Sequence, residues 1–212
     1  MLIHSRTERT TVNGPGTRAA LWFQGCSLDC AGCWNEGTHP FSYDRFIPWG
    51  TVQTWLVNLP RDVEGITLSG GEPLQHCFDV LQIADFMQVI RPGFSIGLFT
   101  GYTLRELETG RFQTLDTSGA QFELGSPELW EAIKGRIDFA VMGRFNASLV
   151  TIGKAMCGSS NQGIELFSNR YTLADFRPQE IEVTIGECGG NMGVTITGFP
   201  GRELLTGIKT AL

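Results

Sequence analysis

The 212-residue sequence contains no long hydrophobic run and no excess of positive charge. No apolar stretch approaches the roughly 20 residues that a membrane-spanning helix needs, and the first residues lack the basic-then-apolar pattern of a secretory signal. The formal net charge is −6, and acidic and basic residues are mixed along the chain. The sequence therefore has no concentration of basic residues that could bind along a phosphate backbone. We therefore expect a cytoplasmic protein that contacts neither a membrane nor nucleic acid directly.

Apolar segments alternate with helical patterns in the order typical of parallel β/α units, which predicts an α/β fold. Four segments predict strands: Ala19–Phe23, Gly65–Leu68, Phe94–Phe99 and Asp138–Met142. Three segments predict helices: Pro48–Leu59, Val80–Ile90 and Ser126–Ile133. The last of these begins with a good N-cap residue, Ser126, followed by Pro127 at the first helical position.

The C-terminal part of the sequence follows a different pattern. Ile181–Ile185 and Val194–Thr197 alternate apolar and polar residues around the turn-rich segment Gly186–Asn191. This pattern predicts a β-hairpin, and the residues from Arg202 onward predict a short helical tail. We therefore expect a core domain at residues 1–170 and an extension at residues 171–212.

Three of the six cysteines, Cys26, Cys30 and Cys33, lie within eight residues, in a loop after the first predicted strand. In a reducing compartment such thiols are more often metal ligands than disulfides. Soft thiolates suit zinc or an iron–sulfur cluster. A cubic cluster ordinarily takes four cysteines, so three would leave one iron open for an exchangeable ligand. The spacing also leaves zinc open, with His39 as a further ligand.

The other cysteines stand singly. Cys77 precedes Val80 by three residues on the apolar face of a predicted helix, which indicates a core thiol. Cys157 and Cys188 have no cysteine at ligand spacing. A second cluster is therefore not expected.

The Cys-x3-Cys-x2-Cys spacing resembles the defining motif of the radical S-adenosylmethionine (SAM) superfamily. Thr67–Leu74 resembles its Gly-Gly-Glu-Pro motif, and Asn13–Arg18 resembles the segment before the cluster loop in glycyl-radical activases. Phe99–Thr103 and Gly158–Gln162 are also similar to segments of one branch, the activating proteins of anaerobic ribonucleoside-triphosphate reductases. The likeness covers roughly residues 8–168.

The resemblance implies one [4Fe–4S] cluster on the three clustered cysteines and SAM bound at the open iron. Reductive cleavage of SAM would give a 5′-deoxyadenosyl radical that abstracts a hydrogen atom. The residues that the likeness places at SAM are Trp34, Asn35, Ser69, Gly70, Gly71, Glu72 and Thr100. Gly32 departs from the pattern, because the superfamily often has an aromatic residue there. Since a full (β/α) TIM barrel takes about 250 residues, we expect an incomplete, open-sided TIM-like barrel with a hairpin extension.

Three functions fit these motifs. The first is a glycyl-radical enzyme activase, with a flavodoxin or ferredoxin as the electron donor that the family implies. The second is a maturase or splicease of a ribosomally made peptide that works with a helper protein, because residues 171–212 extend beyond the activase pattern. The third is a non-catalytic metal-binding module. Metal analysis and a test for 5′-deoxyadenosine separate the third from the first two.

Overall fold

The structure, a computed structural model, describes residues 1–116, 118–119, 121–151, 153–178, 181–188 and 191–198, with main chain alone for 184–188 and 191–195. The strands are β1 Ile3–Thr10, β2 Arg18–Phe23, β3 Gly65–Gly70, β4 Ser95–Thr100, β5 Gln113–Leu115, β6 Phe122–Leu124, β7 Phe139–Met142, β8 Gly163–Leu166, β9 Ile181–Cys188 and β10 Asn191–Gly198. The α-helices are α1 Trp49–Val57, α2 Cys77–Ile90, α3 Leu104–Glu108 and α4 Pro127–Lys134.

Six strands form the main sheet in the order β1-β2-β3-β4-β7-β8. The four inner strands are parallel, while β1 and β8 pair antiparallel at the edges. This confirms the predicted α/β class, and over the described residues the sheet is open rather than closed on itself. Two small antiparallel sheets, β5-β6 and β9-β10, accompany it.

The four predicted strands and three predicted helices are all present, with ends that agree to within about three residues. The hairpin is also present, but Gly186–Cys188 continues β9, so the prediction of a turn there was wrong. The helical tail from Arg202 lies outside the described residues. The sequence patterns missed β1, β5, β6, β8 and α3. No helix in the described part of the chain has both the length and the apolar character needed to cross a membrane.

Side chains alternate between the two faces of the sheet. Ile66, Leu68 and Leu98 point toward the helices and join a large buried core with residues of α1, α2 and α4. Phe139 and Val141 belong to a smaller buried cluster on the other face. The helices therefore cover one face and leave the opposite face available for a site.

Arg18, the first residue of β2, is fully buried. Its guanidinium donates to Thr67 Oγ1 and to the Ile66 carbonyl, both at 2.8 Å, and to Ser95 Oγ at 3.2 Å. It also lies over the Phe139 ring, 5.0 Å from the centroid. Burial lowers the pKa of this guanidinium. One side chain thus ties β2 to β3, β4 and β7.

Replacing Arg18 with methionine is expected to lower the free energy of unfolding by about 3 kcal/mol or more, because buried acceptors lose their donor. Denaturant unfolding measures this change. Arg9→Met is the matched control, because Arg9 and its partner Asp62 are both more than half exposed. That pair should contribute no more than about 1 kcal/mol. Equal unfolding midpoints for the two variants would contradict the conclusion that Arg18 ties these strands together.

Candidate functional site

A cavity of about 620 Å³ opens at the carboxyl ends of the parallel strands. This end of a parallel sheet is where α/β proteins bind ligands. All ten residues predicted for the site line it: Cys26, Cys30, Cys33, Trp34, Asn35, Ser69, Gly70, Gly71, Glu72 and Thr100. The fold thus brings together three sequence segments that are separated by about thirty residues or more.

The loop that carries the cysteines is fixed at its base by main-chain hydrogen bonds. Gly25 N–H donates to the Thr38 carbonyl at 2.7 Å, and Cys26 N–H donates to the His39 carbonyl at 2.9 Å. Asp29, further along the loop, has φ +44°, a conformation that few residues other than glycine adopt. The base is therefore ordered by the backbone, and the loop turns so that all three thiols line the same cavity.

The three thiols are half-buried and accept main-chain hydrogen bonds. Asn35 N–H lies 3.4 Å from Cys33 Sγ, and main-chain N–H groups also reach Cys26 and Cys30. Burial raises the pKa of Cys26 to about 12 and also raises the pKa values of Cys30 and Cys33. These thiols therefore remain protonated at neutral pH unless a metal displaces the proton.

The Gly70-Gly71 turn presses directly against the start of the cysteine loop. Gly70 has φ +107°, and a side-chain carbon there would lie 2.4 Å from the Phe23 nitrogen. A side-chain carbon on Gly71 would lie only 2.1 Å from the Gly25 oxygen. Gly71 N–H donates to the Phe23 carbonyl, and Glu72 N–H donates to the Gly25 carbonyl, both at 2.9 Å. Only glycine fits where these two backbones meet.

Glu72 is almost fully buried, at 1% exposure, and its carboxylate accepts three hydrogen bonds. Thr100 Oγ1 and Leu74 N–H donate to Oε1 at 2.8 and 2.9 Å, and Gly101 N–H donates to Oε2 at 2.7 Å. Burial raises the pKa of Glu72 to about 7 despite these donors. Glu72 thus joins the end of β3 to the end of β4, and the Thr100 hydroxyl is committed to it.

Trp34 and Asn35 follow the last cysteine at the rim of the cavity. The Trp34 ring packs against Phe145, with centroids 5.6 Å apart, while it also lines the cavity. Trp34 can therefore pack against Phe145 and contact a ligand in the cavity at the same time. Asn35 is exposed, and its carbonyl accepts hydrogen bonds from Thr38 N–H and Thr38 Oγ1.

The Gly158–Gln162 segment is a self-bonded polar loop, two of whose residues line the cavity. Gln162 Oε1 accepts the N–H groups of Gly158 and Ser159, while its amide nitrogen donates to the Gly143 carbonyl at 2.8 Å. The segment is therefore both a polar loop and part of the cavity wall.

The sequence analysis missed a hydrogen-bonded chain beneath the cysteine loop. Gln75 is fully buried, accepts the Ser27 N–H at 2.9 Å, and donates to Ser27 Oγ and to the Tyr102 hydroxyl. Tyr102 lies in the segment Phe99–Thr103, which the resemblance had already marked. The signal for Gln75 was its place directly after the Gly-Gly-Glu-Pro motif.

Ile196, Thr197 and Gly198 of β10 also line the cavity, although they are distant in sequence from its other walls. Cys77 is buried in the core as predicted, with its Sγ 3.0 Å from the Leu74 carbonyl. Cys157 is buried in the smaller apolar cluster. The side chain of Cys188 is outside the described part of the chain.

His39 lines the cavity, and its Nδ1 lies 3.3 Å from Asp29 Oδ1. Among the described residues, no three His, Cys, Asp or Glu side chains are grouped closely enough to hold a single metal ion.

Glu72 and the buried His76 should give opposite pH dependences of stability. Glu72 loses its proton near pH 4.5 in the unfolded chain but near pH 7 when folded, so this group makes stability fall as pH rises between those values. Burial lowers the pKa of His76 from 6.5 to about 4, so stability falls as pH drops through that range. The two effects oppose each other in the wild-type protein.

Removing either side chain should reveal the pH dependence of stability that the other one produces. Glu72→Gln is expected to make the unfolding free energy rise between pH 4.5 and 6.5, by more than in wild type. His76→Phe is expected to change the pH dependence of the unfolding free energy in the opposite direction over the same pH range. Each change should be on the order of 2 kcal/mol. Urea unfolding of metal-free protein in chelating buffer measures both, and wild-type slopes in both variants would mean that neither pKa is shifted.

Comparison with known proteins places the site in a sequence family. Residues 12–165 match the family described as "4Fe-4S single cluster domain". The chain is 35% identical over 117 residues to the anaerobic ribonucleoside-triphosphate reductase-activating protein of Escherichia coli (strain K12), covering 50% of this chain and 71% of that protein. The protein of the same name from Vibrio cholerae (serotype O1) is 31% identical over 174 residues, covering 79% and 99%. That from Salmonella typhimurium is 34% identical over 124 residues, covering 55% and 79%.

Proposed function

The chain belongs to the 4Fe-4S single cluster domain family, and from this membership we propose that it is a radical SAM enzyme that activates an anaerobic ribonucleoside-triphosphate reductase. It would abstract a hydrogen atom from a glycine of that reductase. The observation that carries the proposal is the convergence of all ten predicted site residues on one cavity. The similarity of the chain to three reductase-activating proteins supports the reductase as its substrate.

The residues present fit one [4Fe–4S] cluster. Cys26, Cys30 and Cys33 are soft donors that line the cavity from a single loop, and main-chain N–H groups point at their sulfur atoms. Hydrogen bonds of this kind to sulfur are typical of iron–sulfur sites and help to set the potential. Three cysteines would leave one iron without a protein ligand, free for an exchangeable ligand.

The walls beside this loop fit SAM. The Gly70-Gly71 backbone and Ser69 line the cavity without bulky side chains, which leaves room for close approach. Glu72 is fixed by three donors, and its carboxylate would face the SAM amino group, whose positive charge would favour the ionised form. Trp34 and Asn35 lie where the adenosine would extend, and Thr100 holds Glu72 in place.

When bound, the reduced cluster would supply one electron for cleavage of SAM, and the resulting 5′-deoxyadenosyl radical would remove the hydrogen atom. The chain's own part is to position SAM and to exclude water. The cavity walls serve the second purpose, since Trp22, Phe99 and Val141 are apolar.

We further propose that the open sheet is the partial (β/α) barrel of radical SAM enzymes, with residues 1–170 as its core and residues 171–212 as an extension. Its open side would admit a segment of the reductase. A flavodoxin or ferredoxin would supply the electron in the cytoplasm.

Anaerobic reconstitution with iron and sulfide, followed by reduction and addition of SAM, tests the proposal. We expect about four irons per chain, release of 5′-deoxyadenosine, and a glycyl-radical signal in electron paramagnetic resonance when the reductase from the same cells is added. Bound zinc with intact SAM would support the metal-binding module instead. Release of 5′-deoxyadenosine with no radical on the reductase would support the peptide-modifying function.

A further inference from the structure

We propose that the backbone edge of β10 at Ile196–Gly198, which no strand of the described residues pairs with, binds an extended segment of the substrate protein as an added strand beside the cavity. The inference rests on the proposed function, because the bound segment is the one that carries the reactive glycine. It assigns a role to the hairpin, which lies outside the residues 12–165 matched by the family.

The orientation of β10 follows from which residues reach the cavity. Ile196, Thr197 and Gly198 are consecutive, and all three line it. Successive side chains of a strand point to opposite faces, so one face could supply only alternate residues. Three consecutive residues meet the same cavity when the strand presents its edge.

This edge is open to a partner. In the described part of the chain β10 pairs only with β9, in a register that sets Ile196 opposite Val183 and Thr197 opposite Glu182. Each strand has two edges, and β9 occupies one edge of β10. The other edge carries main-chain N–H and C=O groups that an extended peptide can pair with.

The hairpin is fixed to the core close to the cavity. Asn13 Nδ2 donates to Thr197 Oγ1 at 2.9 Å, and Thr11 donates to Glu182 Oε1 through both its N–H and its hydroxyl at 2.7 Å. The Asn13 carbonyl in turn accepts the Thr67 hydroxyl of β3 at 2.6 Å. These contacts hold the edge at a set distance from the β3 turn.

The chemistry of this edge suits a glycine-containing segment. Ile196, Thr197 and Gly198 carry no charge, so they impose no charged side-chain preference on a partner. A glycine offers no side chain to recognise, and therefore its segment must be held mainly through its backbone. Strand pairing supplies backbone contacts of that kind.

The test compares proline substitutions at opposed positions of the hairpin. At each pair in an antiparallel ladder the two N–H groups either face each other or both face outward. Ile196→Pro and Val183→Pro therefore remove the same kind of N–H, one from each strand, and so do Thr195→Pro and Thr184→Pro. Of the two β10 variants, only the one whose N–H points away from β9 alters the edge at the cavity.

The measurement is the glycyl radical formed on the reductase per 5′-deoxyadenosine released. For the β10 variant whose N–H faces the cavity we expect this ratio to fall at least about tenfold, because proline removes a donor and blocks pairing. The opposed β9 variant should keep the wild-type ratio. Equal ratios in all variants, or equal losses from β9 and β10, would overturn the assignment.

Deuterium exchange gives a second readout on the unmutated protein. On addition of the reductase, amides of residues 191–198 should exchange more slowly, while those of 181–188 should change little. Unchanged exchange in β10 while the radical forms would also overturn the proposal. If the wild-type protein releases no 5′-deoxyadenosine, or forms no radical on the reductase, the proposed function fails instead, so the two failures are distinct.

Discussion

Replacing any one of Cys26, Cys30 and Cys33 with alanine is expected to remove SAM cleavage, with 5′-deoxyadenosine falling at least ~10³-fold, toward the uncatalysed background. The described residues place three thiols at this cavity, and Cys77 and Cys157 are buried in the core instead. A cluster held by two thiolates has too few protein ligands to persist. Iron and sulfide content and chromatography of 5′-deoxyadenosine measure the effect.

Cys77→Ala and Cys157→Ala are the matched controls, since each removes one thiol from the apolar interior. Both should lower the free energy of unfolding by about 1 kcal/mol through lost packing and keep the iron content of wild type. The assignment of the ligands would be wrong if a loop variant kept full iron and activity, or if a core variant lost the cluster.

Gly71→Ala is expected to lower the rate of 5′-deoxyadenosine release by about 10²-fold, because displacement of a site by 1 Å can cost that much. The added carbon would lie 2.1 Å from the Gly25 oxygen and 2.7 Å from its carbon. Both are backbone atoms, so the β3 turn and the cysteine loop must move apart. Gly25 directly precedes Cys26, and the displacement therefore reaches the first thiol.

Gly50→Ala provides the control, because nothing lies within 4 Å of a side-chain carbon at that position in α1. An exposed helical glycine replaced with alanine should gain up to about 1 kcal/mol of stability, with no change in rate. If Gly71→Ala releases 5′-deoxyadenosine as fast as Gly50→Ala does, the reaction does not depend on the close approach of the Gly71 and Gly25 backbones.

Much of the site could be predicted because its residues follow strand ends. Cys26 and Gly71 follow β2 and β3, and Thr100 is the last residue of β4. These three strands are neighbours in the sheet. Once the alternation of strand and helix is recognised, the carboxyl ends of parallel strands must meet at one edge. Local sequence therefore carried information about contacts between distant segments.

Other features depend on tertiary contacts that no local pattern records. The edge strand β1, Ile3–Thr10, is mostly polar and exposed, so its apolar content gave no strand signal. In the sequence Arg18 could be recognised only as a charged residue, yet in the structure its side chain ties four strands together. Likewise the hairpin was predicted from its alternation, but its approach to the cavity depends on Asn13 and Thr11.

The anchoring of the cysteine loop bears on the order in which the protein is assembled. Every bond that holds the base of the loop, from Gly25 and Cys26 to Thr38, His39 and Glu72, is made by the polypeptide alone. We therefore expect the base of the loop to form in metal-free protein, and the exposed residues between the thiols leave the thiols within reach of an iron donor. On this expectation cluster insertion would be a late step, and metal-free protein should take up iron and sulfide without being unfolded first.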